Sequence, residues 1–504
     1  MSDLLAEGAL HQDDHGHKHQ MNSEFDMDSE REEANTRSPM EEYRVAYPVA
    51  AINQLPVEIL SAIMVIVVDE SFGAYHGPMI IPVRVFTPLV LSQVCRLWRQ
   101  CAHATPQLWC SVLIHDLPDL RKKGELVCPN LRVQTAFLET CVARARALPL
   151  ELILGIHKFS DDVDASLDVW RSSMGRCRSL DITCPETIWD ELFSSPIELP
   201  LLEKLELSIF QDITQTPLSL NSLAMPKLKH LEIALEGISD TPDGIDWSRL
   251  STLSIHSATF NRRLGSVLDQ CPALRQLELE LEVIDIDQMC NITLPFLEDF
   301  YCYIHDYDRN GVAKLVFPSF VLPRLQKLTV YAPDTYPLTK SLALMLRRSD
   351  CMLETLDIHN RCAIDNGDHF YELLMSCPAL SSLTVTSAYG TDDTFASIDE
   401  SLFCLIRSVD GYPAPKLDCL LLGLEVDETY VCFPSDSAVS EILNARRLHD
   451  LTTPLRDADV VIHGVDGVSR MGWFVRDGGE ILRKGADDDT LQEDIDRVWR
   501  GLAP

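Results

Sequence analysis

"LPLLEKLELSI" at 199–209, "CPALRQLELEL" at 271–281 and "CPALSSLTVTS" at 377–387 are three settings of one phrase. It returns as "MPKLKHLEIAL" (225–235), "WSRLSTLSIHS" (247–257), "LPFLEDFYCYI" (294–304), "LPRLQKLTVYA" (322–332), "CMLETLDIHN" (351–360) and "APKLDCLLLGL" (414–424). The first leucines are Leu202, Leu228, Leu250, Leu274, Leu297, Leu325, Leu353, Leu380 and Leu417. Successive copies are therefore 26, 22, 24, 23, 28, 28, 27 and 37 residues apart. "CRSLDIT", with Leu180 and Ile182, is an earlier degenerate copy.

In L-x-x-L-x-L the last two apolar residues alternate on a short strand, so both enter one core while their neighbours face outward. The segments between copies bring the chain back. "PLTKSLALMLRRSD" carries Leu342, Met345 and Leu346 on one helical stripe, and "NRRLGSVLDQ" and "FYELLMS" read as shorter helical returns. No copy can bury its apolar face alone, so the copies must stack. Over about residues 175 to 425 the phrase resembles the leucine-rich repeats, whose period is about 20–29 residues. The lengths are irregular, as in the repeats that accompany F-boxes, and the asparagine of the commonest ladder is absent. The resemblance implies a curved solenoid. Cys271 and Cys377 occupy the small apolar position that starts the turn, which reads as packing rather than catalysis.

The alternation also predicts which side chains line the concave face. In chain order these are Asp181, Thr183, Glu206, Ser208, Glu232, Ser254, His256, Glu278, Glu280, Tyr301, Tyr303, Thr329, Tyr331, Asp357, His359, Thr384 and Thr386. Carboxylates fill the first half and three tyrosines the middle. Glu is also a common solvent-facing choice between buried leucines, whereas clustered exposed aromatics are more informative. Glu206, Glu232, Glu278, Glu280, Tyr301, Tyr303 and Tyr331 are the candidate substrate-binding residues. They suit an extended segment with Lys or Arg at one end and an apolar or aromatic anchor at the other.

Nearer the start stands "INQLPVEILSAIMVIVV" (52–68), then "TPLVLSQVCRLWRQCAHA" (87–104) and "TPQLW" (105–109). Pro56 suits the first position of a helix and Glu58 complements its dipole. Leu55, Ile59, Leu60, Ile63, Met64 and Val67 recur at helical spacing, and Val57, Val65 and Ile66 make the other side apolar too, so this helix must be covered on more than one face. The second stretch predicts one helix after Thr87 and Pro88, with Leu91, Val94, Cys95, Trp98 and Ala102 in one stripe. The order L-P-V-E-I-L, V-C-R-L-W-R and T-P-Q-L-W resembles the F-box in the form common in large fungal families, over residues 52–112. The insertion at 69–86 is longer than the usual pattern. The family implies docking on a Skp-type adaptor and, through it, a cullin. By position, Leu55, Pro56, Ile59, Leu60 and Ile63 carry that contact, and Val94, Trp98, Leu108 and Trp109 pack or extend it.

The chain has 504 residues, 46% of them apolar, and a net charge of −34 from 43 basic and 77 acidic residues. That charge repels phosphate backbones and anionic lipid, so nucleic acid and membranes are excluded as expected partners. The start, "MSDLLAEGALHQDD", lacks a basic region followed by an apolar stretch, so no secretion signal is expected. An intracellular location, cytoplasmic or nuclear, and reduced thiols for the 16 cysteines follow as expectations. No C-x-x-C pair occurs. Residues 1–47 hold twelve acidic and four basic residues and read as a disordered tail. Its His11, His15, His17 and His19 could hold a metal loosely, though a solvated polar tract accounts for them.

The expected class is α/β, with a small all-α domain followed by an irregular solenoid. The expected organisation is the tail at 1–47, a helical domain at 48–115, a linker or N-terminal cap at 116–174 and the repeats at 175–425. A C-terminal cap with a terminal helix fills 426–504. The resemblances together imply a non-catalytic substrate receptor of an SCF-type ubiquitin ligase, without cofactor, metal or catalytic residues. A repeat scaffold with no role in ubiquitin transfer is the alternative.

Overall fold

The computed structural model of the chain describes residues 51–73, 87–116, 131–158, 160–210, 220, 223–235, 245–260, 262–284, 291–305, 316–332, 338–360, 367–389, 414–426, 457–464, 470–475 and 482–485. The acidic tail, most of the 69–86 insertion and the expected terminal helix lie outside them. Contacts divide the chain into two units, Met1–Gln54 and Leu55–Pro504. Of the first, the described part is a 3-10 turn, Ala51–Gln54.

The second unit is α/β. It opens with helices α1 (Val57–Gly73), α2 (Thr87–Gln93) and α3 (Arg96–Ala104) and a 3-10 turn, Pro106–Trp109. A fifteen-stranded sheet follows. Its first part contains β1 (Ser111–His115), β2 (Leu150–Gly155) and β3 (Cys177–Pro185), with α4 (Leu131–Ala145), α5 (Asp161–Asp164) and α6 (Leu167–Met174) between them and α7 (Glu186–Leu192) after β3. Strand β4 (Ile197–Glu198) pairs with β6 (Leu223–Ala224) in a small separate ladder that flanks β5 (Lys204–Phe210) in sequence. The large sheet continues through β7 (His230–Leu235), β8 (Thr252–Phe260) and, after α8 (Arg262–Asp269), β9 (Gln276–Ile284). A second small ladder joins β10 (Ile292–Thr293) to β12 (Phe320–Val321) around β11 (Asp299–Ile304). Then come β13 (Lys327–Ala332), α9 (Thr339–Ser349), β14 (Thr355–Asn360), α10 (Gly367–Met375), β15 (Ser382–Tyr389) and β16 (Cys419–Val426). The last strands are β17 (Asp457–Gly464), β18 (Arg470–Val475) and β19 (Leu482–Gly485).

Within the large sheet each strand pairs in parallel with the next from β1 to β17, and only β18 and β19 turn antiparallel. The repeated phrase explains this order. Nine leucines and one phenylalanine fall opposite one another across successive strands: Leu180, Leu205, Leu231, Leu253, Leu277, Phe300, Leu328, Leu356, Leu383 and Leu420. A second column runs Ile182, Leu207, Ile233, Ile255, Leu279, Cys302, Val330, Ile358, Val385 and Leu422. The nine first leucines, Leu202 to Leu417, are all buried beside them.

The proline of the phrase starts a turn. The Leu202 N–H donates to the Leu199 carbonyl, Leu274 to Cys271, Leu297 to Leu294, Leu325 to Leu322 and Leu380 to Cys377. Proline's fixed φ suits the second position of such a turn, and its missing N–H costs nothing there. Cys271 and Cys377 are buried at the turn's first position, and burial raises both thiols, Cys271 to about 12. One carbonyl per step then accepts two N–H groups from the next copy. Glu203 O takes Lys229 and His230, and Glu298 O takes Gln326 and Lys327. The backbone is thus paired through the turn as well as along the strand.

The sheet is longer than the repeat count. It begins at Ser111, inside the stretch read as the helical domain, and the stretch read as a linker at 116–174 supplies β2 and the helices over it. Its far side also continues in parallel into β17, where Ala458 stands opposite Leu420. Alanine at that position hid the copy. On the β1 side, buried Gln134 of α4 accepts from the His115 N–H at 2.9 Å and donates to its carbonyl at 2.8 Å, so a side chain replaces the missing strand.

The second helical stretch is two helices rather than one. Cys95 is extended, with φ −159° and ψ 177°. Ser92 Oγ donates to Leu89 O at 2.7 Å, an alternative to the helical ladder, and Arg99 Nε donates to the Ser92 carbonyl at 3.0 Å. The stripe Leu91, Val94, Cys95, Trp98 and Ala102 is thereby split. Ala102 is buried, Leu91 and Trp98 are half-buried against the core, and Val94 points to solvent.

Candidate functional site

Two surfaces collect the chemistry. The first is the polar face of the large sheet, which strand register organises into rows. One row runs Asp181, Glu206, Glu232, Ser254, Glu278, Tyr301, Thr329, Asp357 and Thr384 on neighbouring strands. One step along the strands, Glu280, Tyr303, Tyr331, His359 and Thr386 form another. All are half-buried except Ser254, which is buried. Every residue expected to bind substrate, Glu206, Glu232, Glu278, Glu280, Tyr301, Tyr303 and Tyr331, lies in these two rows.

The carboxylates are crowded. Burial, with the charges of Glu206 and Glu232, pushes the Asp181 carboxyl up to about 7. Glu206 is ion-paired to Lys204 on its own strand. Burial works against the Lys204 ammonium, but its bond to Glu206 and the nearby Glu206, Glu232 and Asp181 charges outweigh that and hold it above its usual range. His256 is the hub. Its Nε2 lies 3.3 Å from Glu232 Oε1 and its Nδ1 3.0 Å from Glu280 Oε2. Both ring nitrogens can donate only in the imidazolium. The bond to Glu232, opposed by burial and reinforced by Glu280, raises the group to about 9. A break in register between Ile255 and Ala258, with Ser257 at φ 55°, marks a bulge next to His256. Such bulges re-aim neighbouring side chains. The other oxygen of Glu280 lies 2.6 Å from His305 Nε2, and Ser254 Oγ donates to Glu278 at 3.2 Å.

Beyond the carboxylates the rings form a ladder. Tyr303 and Tyr331 stack with centroids 4.6 Å apart and planes 7° apart, and His305 meets Tyr303 edge-on at 4.7 Å. His359 follows at 5.7 Å from Tyr331, with its Nδ1 2.7 Å from Thr386 Oγ1, and burial lowers its imidazole despite Asp357. Burial, then Glu278, raises the Tyr301 phenol to about 12, so it remains a neutral hydrogen-bonding group. His305 and Lys204 were absent from the residues expected on this face. Extending the Tyr301–Tyr303 alternation by two finds His305, and reading back two from Glu206 finds Lys204.

The second surface is on α1. Its side bearing Leu60, Met64 and Val68 is buried against α2, α3 and the turn Pro106–Trp109. Its other side leaves Ile59 49%, Ile66 55% and Val67 41% exposed, with Ile63 half-covered; at the helix start Val57 is 46% exposed, Pro56 exposed and Leu55 half-covered. Val90, in the middle of α2, and Val94, just past its end, are 52% and 58% exposed. Among the residues expected to meet an adaptor, Pro56, Ile59 and Val94 are therefore exposed, and Leu55, Ile63 and Trp98 are half-buried. Leu60, Leu108 and Trp109 are wholly inside. Trp109 Nε1 donates to Ala102 O at 2.8 Å, the Arg144 guanidinium sits 4.1 Å above its ring, and Phe137 lies against it at 6.4 Å. Leu60, expected in the contact itself, is instead a packing residue, whereas the burial of Leu108 and Trp109 agrees with the packing part of their expected role. Ile66 and Val67 extend the open strip on α1, and Val90 is a further exposed aliphatic side chain on α2.

No described helix is long and apolar enough to cross a membrane. No protein-family model matches the chain, and no curated protein matches it. Among solved structures, the crystal structure of a Bacteroides fragilis protein is similar at 14% identity and a TM-score of 0.27, over 60% of this chain and 78% of that one. A likeness at that score carries no argument about fold or activity.

Proposed function

We propose that this chain is the substrate-recognition subunit of an SCF-type ubiquitin ligase. Helices α1 to α3 form an F-box-like element that docks on a Skp-type adaptor and through it on a cullin. The parallel strands form a leucine-rich-repeat solenoid that holds a target protein. The observation that carries this reading is the open strip of α1, three large aliphatic side chains (Ile59, Ile66 and Val67) opposite the side that buries Leu60, Met64 and Val68. A contiguous exposed apolar strip is the ordinary mark of a protein interface. The protein supplies no bond-making group in this scheme. It keeps a target lysine near the charged enzyme, which replaces a bimolecular encounter with a local one.

Co-purification with a Skp-type adaptor tests the reading. Wild-type chain retains the adaptor, and Ile59→Asp with Ile66→Asp loses it while melting at an unchanged temperature. No adaptor captured by the wild type, or equal capture by the variant, rejects the reading. The second reading is a repeat scaffold without a role in ubiquitin transfer. It is favoured by the burial of Leu108 and Trp109 against α4, which is what helices capping a sheet require.

A further inference from the structure

The polar face is a sheet face whose chemistry changes along its length, and that change specifies an occupant. From β3 to β9 it offers five carboxylates, Asp181, Glu206, Glu232, Glu278 and Glu280. The side chains that answer them from the same face are Lys204, His256 and His305. Asp181 keeps its proton up to about 7 because burial and two further carboxylates crowd it. From β11 to β14 the face is aromatic, with Tyr303 and Tyr331 stacked and His359 behind them. Phosphate-bearing ligands are repelled by the first half, and a purely apolar ligand gains nothing from it.

We infer that this face binds an extended polypeptide crossing the strands, with a Lys or Arg side chain at the Glu232 end of the carboxylates and an aromatic side chain on the Tyr303–Tyr331 pair. The register sets the spacing. Glu232 on β7 is three strands from Tyr303 on β11 and four from Tyr331 on β13. At about 4.8 Å per strand that is roughly 14 to 19 Å. An extended chain advances about 3.3 Å per residue, so the aromatic residue stands about four to six positions from the cation. A cation laid against tyrosine or carboxylate and a ring on a ring stack are both favourable contacts for such a segment. The inference names the substrate class of the receptor proposed above and rests on that reading for the word substrate. Peptide capture itself requires no adaptor, so the two can fail separately.

The test uses the full chain and synthetic peptides, each with one Arg and one Trp separated by about one to nine Gly/Ser residues, read by fluorescence anisotropy. Affinity is expected to peak at about three to five intervening residues and to fall at least tenfold when Arg becomes Glu or Trp becomes Gly. These peptide changes need no altered protein. Tyr303→Ala with Tyr331→Ala, and Glu232→Gln with Glu278→Gln, each lower the peak at least tenfold, whereas Ile59→Asp leaves it unchanged while abolishing adaptor capture. Affinity indifferent to spacing, equal binding of the Glu peptides, or no binding at any spacing overturns the inference. So does self-association in sedimentation that the tyrosine changes abolish, since the occupant is then a second copy.

Discussion

Replacing His256 by Gln removes the cation between Glu232 and Glu280 and keeps the size of the side chain. In the folded chain the imidazole is raised from 6.5 to about 9. Each unit is worth about 1.4 kcal/mol, so the protonated ring contributes at most about 3 kcal/mol. The ring is 25% exposed, and solvent screening brings the expected figure to roughly 2 kcal/mol. The sign follows from the direction. A raised folded-state value means the contribution is whole below about 6.5, declines as pH rises, and is gone above about 9. The groups that face the ring are Glu232, Glu278 and Glu280, all carboxylates. Hydrogen exchange of the β7, β8 and β9 amides reads the opening free energy where the change is made. Wild type should exceed His256→Gln by roughly 2 kcal/mol at about pH 6, with the gap closing by about pH 9.5. A gap of the same size at both values refutes the ionic bridge. No gap at about pH 6 refutes it too, because the ring is then not an imidazolium shared by two carboxylates.

Asp181→Asn should stabilise the chain by roughly 1–3 kcal/mol at about pH 8 and leave it unchanged at about pH 4, in denaturant melts at each pH. The wild-type carboxyl is raised from 3.8 to about 7, so its cost to folding grows as pH rises from about 3.8 and is complete above about 7. Gln134→Leu orphans the His115 N–H and carbonyl and should cost about 2–4 kcal/mol in thermal unfolding, with β1 losing exchange protection first. A loss below about 0.5 kcal/mol would mean that water serves these groups equally well. On α1, Leu60→Ala should cost about 2–5 kcal/mol, whereas Ile59→Ala should cost under about 0.5 kcal/mol. Equal losses would contradict the burial of one side and the exposure of the other.

Much of the fold was legible in the chain because its signals are local. Proline two residues before a leucine sets a turn, and period-two alternation after it sets a strand face; neither needs a distant partner. The alternation, with the proline where it is present, locates the large-sheet strands from β3 to β16 and the side chains of the polar face, including all seven candidate substrate residues, but not the two small ladders. The same signals pass over β17 because Ala458 breaks the leucine pattern, and they give β1 and β2 to a neighbouring domain because helical signals surround them. The break at Cys95 was also invisible. It depends on Arg99 capturing a carbonyl, a choice between two hydrogen bonds that composition does not express.

Sequence alone therefore determined the repeated unit, the stacking of its leucines and the identity of the outward side chains, since alternation is a property of a single strand. Tertiary structure decided which of those side chains meet. His256 reaches Glu232 and Glu280 only because returns of different lengths restore one register, and a bulge at Ser257 adjoins the ring. It also decided that Leu60 and Trp109 are sealed while Ile59 and Ile66 stay open. An all-round apolar helix carries no internal mark of the side its own chain will cover, and that side is chosen by what packs against it.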